Sequence, residues 1–477
     1  MVKVAIVGCC HGELNKIYNS LKNSYVELLI ICGDFQAIRN YRDLDMISVP
    51  NKYKQLGDFH RYYSGELKAP VLTIFIGGNH ESSGYLQELK YGGFVAPNIY
   101  YLGDFGSIYY KGLRITGQSG IWNEHSFMNR QVETIPFDNS TVRSIYHIKA
   151  KTFLKSYLMK DDKCIDISLS HDWPQDIVHY GDIRGLLKYK PFFKNDIETG
   201  KLGNPLAKIL LHNLRSRYWF SAHLHVKFSA SVEHENKKRK GSLTNSLPIE
   251  KKFKDDIKEE SIQNEKKLNL INKEELSLDM DEENFSNNDN TPNKEELSLD
   301  MDEEYSSNNQ EPVNKEEISL DMDNEFSDDK EINQIGIATN LTTEFLALDK
   351  CLPKRKYIEY LDIESTNSSS DENLYFDKRS IAINKVIENF VKQNSREWAK
   401  ISKSDLLSID TSLTTLVDEL NREISFEVSK LNKLPDSEFV IDQKNFKIIA
   451  PIESRSEIPL KYWQNNQTDN YISKFMK

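Results

Sequence analysis

At 477 residues the chain is longer than one hydrophobic core usually serves, so more than one folded region is expected. Charged residues make up 28% of it and its mean hydropathy is −0.59, so part of the chain is expected not to build a core. No apolar run reaches the roughly 18 residues that a membrane-spanning helix needs, and none is expected. The net charge of −11 is unevenly spread: residues 1–235 are mildly basic and residues 236–338 strongly acidic. The five cysteines, an odd number widely spaced, point to a reducing compartment.

The first apolar run, Val2–Val7, is too short for a secretion signal and ends in Gly8-Cys9-Cys10-His11, as a buried strand would. Leu14–Asn23 follows with helical spacing. Val26–Ile31 then runs into Cys32-Gly33-Asp34, and Val71–Ile76 into Gly77-Gly78-Asn79-His80-Glu81. Ile165–Leu169 runs into Ser170-His171-Asp172, and Tyr218–Phe220 into Ser221-Ala222-His223-Leu224-His225. Nearly continuous Val and Ile suit strands buried on both faces. Their alternation with helical stretches predicts a layered α/β fold for residues 1–235.

In residues 236–338 the string NKEELSLDMDEE begins at Asn272, recurs at Asn293 and returns as NKEEISLDMDNE at Asn314, a 21-residue period. Each copy has too few apolar positions to stack as a solenoid. The segment is expected to be a disordered acidic linker whose LSLDM cores offer sites to protein partners. Lys237-Lys238-Arg239-Lys240 just before it reads either as a nuclear import signal or as a solvated charge run. Residues 339–477 form a smaller, helix-rich accessory domain in this reading. Phe345–Ile363 is strand, turn, then strand or helix, and Ala382–Val391 and Leu407–Val428 have helical periodicity.

The chemistry lies at the strand ends. Loops at the carboxyl ends of α/β strands form the ligand crevice, so the five strand ends would bring their Cys, His, Asp and Asn residues together. Imidazole, carboxylate, amide oxygen and one thiolate suit a first-row transition metal. All eleven histidines lie between His11 and His234. The stretch from Trp122 to Thr152 carries Arg130, Arg143, Tyr146, His147 and Lys149 without a candidate ligand. Basic side chains beside aromatics suit phosphates and unstacked bases, which makes it the candidate nucleic-acid reader. Asp58–Tyr63, with Tyr62, is a second.

The set GD, GNHE and a late HxH resembles the calcineurin-like metallophosphoesterase superfamily. Cys9 stands where that superfamily usually has aspartate. With GDFQAIRN, TIFIGGNHESSGYL, YGGFVAPNIYYLG, STVRSIYH, SHDWP, YWFSAHLHVKF and FLALDKCLPKRKYIEYLDIE, the chain is similar to the RNA lariat debranching family. The resemblance covers roughly residues 1–230 densely, and implies a metallophosphoesterase β-sandwich flanked by helices. It implies metal-dependent hydrolysis of the 2′,5′-phosphodiester at the branch point of excised intron lariats, giving linear RNA. Cys9, His11, Asp34 and His225 would frame one metal pocket, and Asp34, Asn79, His171 and His223 the other. His80 would be a proton donor and not a ligand, oriented by Glu81 or Asp58. The thiolate favours Fe(II) or Zn, with Mn usable. A monomer acting on branched RNA, in the nucleus and also the cytoplasm, is expected. The alternatives are a metallophosphoesterase of other substrate, a protein phosphatase or nucleotidase, and a non-catalytic scaffold.

Overall fold

The apolar runs seen in the sequence become the centre of two packed sheets in the computed structural model, which describes residues 1–234, 341–365, 371–452 and 458–477. Strands β1 (Val2–Val7), β2 (Leu28–Ile31) and β3 (Leu72–Phe75) pair in parallel. β4 (Gly93–Ala96) and β5 (Ile99–Tyr101) extend them, β5 parallel to β3 and β4 antiparallel to β5. In the second sheet β6 (Phe105–Tyr110) turns back on β7 (Leu113–Gln118), and β8 (Ile167–Ser170) and β9 (Tyr218–Ser221) run parallel to β7. β10 (Phe228–Glu233) lies further out.

Side chains alternate across each strand, which explains why whole runs are apolar. Val4 and Ile6 face the second sheet, where they join Ile30, Ile74, Ile115, Ile167, Leu169 and Phe220. Ala5 and Val7 face outward with Leu29, Ile31 and Phe75, and pack on Leu14, Ile17, Phe59 and Tyr85 from helices Leu14–Ser20, Phe59–Tyr63 and Ser83–Glu88. The outer face of the second sheet buries Trp219 against Phe153, Leu154, Leu206 and Ile387. The result is helix, sheet, sheet, helix, as the α/β layering predicted.

Residues from the far side of the acidic repeats complete both sheets. β11 (Thr342–Ala347) inserts between β10 and β9, antiparallel to the first and parallel to the second. β12 (Ile358–Ile363) pairs antiparallel with β1. β13 (Leu374–Phe376) adds to β6, and β14 (Val440–Ile441) to β13. The sheet orders are β12-β1-β2-β3-β5-β4 and β10-β11-β9-β8-β7-β6-β13-β14. The C-terminal region is helix-rich as read, with helices Lys378–Gln393 and Thr414–Leu431, and its described residues belong to the same compact unit as residues 1–234. Long-range pairing of this kind leaves no trace in local periodicity. The repeats and Lys237–Lys240 lie outside the described residues. No helix among the described residues is long and apolar enough to cross a membrane.

Arg114 on β7 ties the two segments electrostatically. It is buried, and its guanidinium donates to Asp377 Oδ2 at 2.7 Å and Asp161 Oδ1 at 2.7 Å. Asp377 also caps helix Lys378–Gln393 through Arg379 N. Removing one member strands buried charges of the other sign. Arg114→Leu is therefore expected to lower unfolding free energy by about 3–5 kcal/mol, read from urea denaturation; a loss under about 1 kcal/mol would mean that the ion cluster does not hold the segments together.

Candidate metal centre

Asp34 sits at the end of β2 with φ 48°, in the left-handed region, and it is 1% exposed. His11, His223 and His225 share that conformation, with φ of 47°, 61° and 47°. Such backbone is costly for residues with a Cβ and gathers at functional sites. Gly33 beside Asp34 has φ +117°, and a Cβ there would lie 2.1 Å from His171 Nδ1. A Cβ on Gly78 would lie 2.3 Å from Asp34 Oδ1 and 2.6 Å from His171 Nε2. Both positions need glycine because the ring and carboxylate fill the space.

Asp34 faces two clusters. Its Oδ2 lies 3.6 Å from His11 Nε2, and His11 Nε2 lies 3.3 Å from His225 Nε2. Donor atoms of Cys9, His11, Asp34 and His225 all fall within 4.8 Å of one another. On the other side Oδ1 lies 3.4 Å from His171 Nε2, which is 3.3 Å from Asn79 Oδ1. The His223 ring stands 5.0 Å from that of His171, centre to centre. The seven residues expected as ligands thus meet around one carboxylate.

Neighbouring groups stand behind the rings of His171 and His223. His171 Nδ1 bonds Cys32 O at 2.7 Å, which leaves Nε2 toward Asp34. His223 Nε2 lies 3.6 Å from Asp172 Oδ1, and its backbone N–H donates to Cys9 Sγ at 3.3 Å. Asp172 Oδ2 accepts from Trp122 N at 2.6 Å, so the carboxylate beside His223 also holds the start of the 122–152 stretch. Burial alone would raise the Asp34 carboxyl, but His171, His80 and His11 outweigh it and hold it well below the usual range. Burial lowers His171, yet Asp34 raises it more, to about 8. Burial, His11 and Lys350 together push His225 well below the ordinary histidine value.

His80 is 7% exposed and its backbone N–H donates to Asp34 Oδ1 at 2.9 Å. Its Nδ1 bonds the Ser48 carbonyl at 3.2 Å, and its Nε2 lies 3.2 Å from Asn79 Nδ2. The sequence reading offered Glu81 or Asp58 to orient it, and the structure gives both other work. Glu81 accepts from the backbone N–H groups of Phe35, Gln36 and Gly78, which clamps the Asp34 turn. Burial and Asp34 raise its carboxyl to about 7 against those three donors. Asp58 grips Asn15. Ser48 acts through its backbone, so no residue type could have marked it. The segment that carries it is fastened by buried Arg39, which donates to Asp43 and Glu88.

The expected RNA readers fare differently. Arg130 donates to the carbonyls of Trp398, Ala399 and Ile401, closing the end of helix Ser395–Lys400. Lys149 pairs with Glu133 and Ser144 O, and Tyr62 donates to Asn15. His147 is held by Ser126 Oγ at 2.7 Å, and burial lowers its pKa to about 3. Tyr146 is buried, its hydroxyl 3.5 Å from Ser48 Oγ, and Arg143 is partly exposed. Composition marked this stretch as basic and aromatic, but folding uses most of those groups internally.

Residues 2–227 match the family of calcineurin-like phosphoesterases, and residues 340–476 match the C-terminal domain of lariat debranching enzymes. The chain is 42% identical over 363 residues to the lariat debranching enzyme of Schizosaccharomyces pombe, covering 76% of this chain and 73% of the relative. It is 37% identical over 423 residues to that of Saccharomyces cerevisiae, covering 85% and 90%. The human lariat debranching enzyme is 53% identical over 242 residues, covering 50% of this chain and 44% of the relative. The chain spans less than half the length of that relative and of the Xenopus laevis and mouse ones, at 45% and 46%. Two family models side by side, and two fungal relatives matched over most of their length, carry one conclusion: the chain belongs to the lariat debranching enzyme family.

Proposed function

We propose that the chain hydrolyses the 2′,5′-phosphodiester at the branch point of lariat RNA, using divalent metal held around Asp34. The observation that carries this reading is the donor set itself. A thiol, imidazoles, an amide and a buried carboxylate meet where Asp34 Oδ2 is sealed from water without a hydrogen-bond donor. A buried anionic oxygen of that kind fits a cation. Cys9, His11, Asp34 and His225 would hold one ion, and Asp34, Asn79, His171 and His223 a second. A divalent ion held there would supply positive charge to the phosphoryl oxygens and lower the pKa of bound water.

The chain's own residues do the rest. The Cys32 carbonyl holds His171 in one tautomer, as groups behind metal-ligating histidines do, and the Asp172 carboxylate stands 3.6 Å from His223 Nε2. His80 keeps Nδ1–H on the Ser48 carbonyl in either protonation state, so its Nε2 can carry a proton to the departing O2′. The soft thiol of Cys9 favours Fe(II) or Zn, with Mn usable. The chain is taken to act as a monomer in the nucleus and also the cytoplasm, the nuclear location resting on Lys237–Lys240, with the acidic repeats open to protein partners. The test is turnover of a 2′,5′-branched RNA, with and without chelator, against linear 3′,5′ RNA and a phosphoprotein. Cleavage of either control in preference to the branch would assign the site to another phosphoester.

His80→Ala is expected to lower branched-RNA turnover by about 100-fold or more while metal content and RNA binding stay near wild type. Metal lost together with turnover would make His80 a ligand instead. Cys9→Asp replaces the soft donor with a hard one and is expected to move the preference from Fe(II) or Zn toward Mn in metal titrations. An unchanged ranking and stoichiometry would show that Cys9 only fills space.

A further inference from the structure

The two sheets are joined across the site by one loop, Leu348 to Tyr357, with the sequence LDKCLPKRKY. It leaves β11, whose Ala347 is in register with Ser221 of β9, and enters β12, whose Ile358 pairs with Val7 of β1. Its two ends therefore lie at the strand ends that give His223, His225 and Cys9. Backbone bonds fasten it there: Leu348 N to Ser221 O at 3.2 Å, Cys351 N to Cys9 O at 3.1 Å, and Gly8 N to Tyr357 O at 3.0 Å. A Cβ on Gly8 would lie 2.2 Å from Asp349 O, so loop and metal strand touch through backbone.

This loop carries Lys350, Lys354, Arg355 and Lys356 against one acid, Asp349, which sits 3.5 Å from Arg355. Lys354 and Lys356 are exposed and Lys350 is partly so. Lys350 stands within electrostatic reach of His225. Lys16 adds a further cation, donating to Cys351 O at 3.3 Å. The cations expected from residues 122–152 are largely committed, Arg130 and Lys149 among them.

We infer that the loop between β11 and β12 is a phosphate-binding rail, on which Lys350, Lys354 and Lys356 hold the RNA strand that flanks the branch point. The inference rests on the proposed RNA substrate. Lysine suits the task because a compact ammonium meets successive backbone phosphates without reading bases. It also gives the C-terminal segment a direct part in the site, since the rail belongs to that segment.

The test is binding of a branched RNA with a non-hydrolysable 2′,5′ linkage to the full chain and to a Lys350→Ala, Lys354→Ala, Lys356→Ala variant, across a salt series. The variant is expected to bind at least about 10-fold more weakly at low salt. Its dependence of log Kd on log salt should flatten by about 0.7 for each lost contact. Replacing the three lysines by arginine should restore most of both. Equal affinity and slope for wild type and the alanine variant, with unchanged melting temperature, would overturn the rail. An alanine variant that failed to fold would hand the decision to Lys354→Ala, Lys356→Ala alone, read the same way. Weakened binding together with a wild type that cleaves no branched RNA would keep the rail and remove the proposed reaction. A wild type that binds neither branched nor linear RNA would remove both.

Discussion

A carboxylate sealed from water must be met by positive charge or donors, and Asp34 imposes that demand on everything near it. His171, His80 and His11 answer it electrostatically, the backbone N–H of His80 answers it through Oδ1, and Oδ2 remains for a cation. The geometry that lets one side chain face two clusters is costly. Asp34 lies at positive φ, Gly33 and Gly78 give up side chains to make room, and Glu81 is kept buried only to pin the turn. None of these costs makes sense for stability alone. They make sense if the carboxylate is held ready to share its charge between cations on its two sides.

The parallel strands at the centre of both sheets supply the rigidity this requires. β1, β2 and β3 in one sheet and β8 and β9 in the other present their carboxyl ends to the same region, and each end carries one or two site residues. Strands buried on both faces cannot slip by one residue without turning apolar side chains into the wrong layer. The positions of Asp34, Asn79, His171 and His223 are thereby fixed by the hydrophobic packing of the strands that end just before them. A site built on loops alone would need its own stabilisation.

The legible parts of the sequence were those with a local signature. Val and Ile runs announced the central strands, and the residues that closed them announced the site. Cys9, His11 and the HxH pair could be read because each follows its strand directly. What stayed hidden was set by tertiary pairing or by the backbone. β11 and β12 lie more than a hundred residues after β9, and nothing in TTEFLA says that it belongs beside YWFS. Ser48 orients His80 with a carbonyl that any residue has. Arg130 and Lys149 had the charge of RNA contacts, and only the fold shows that carbonyls and Glu133 claim them. The acidic repeats lie outside the described residues, and their expected role stays a reading of composition.

The pairing of β10 with β11 has a consequence for how the chain tolerates change. Glu233 sits opposite Thr342, and His234 N bonds Leu341 O at 2.6 Å, so the insertion between them leaves and returns at adjoining points of one hairpin. Lengthening such a closure costs little, since the entropy grows only with the logarithm of loop length. The hairpin is therefore a place where an ancestral gene could gain or lose repeats without disturbing the pairing of the two sheets. The same arrangement makes the polypeptide's continuity there dispensable: a single cut would leave β11 gripped between β10 and β9, and the two pieces would remain one particle held by sheet hydrogen bonds.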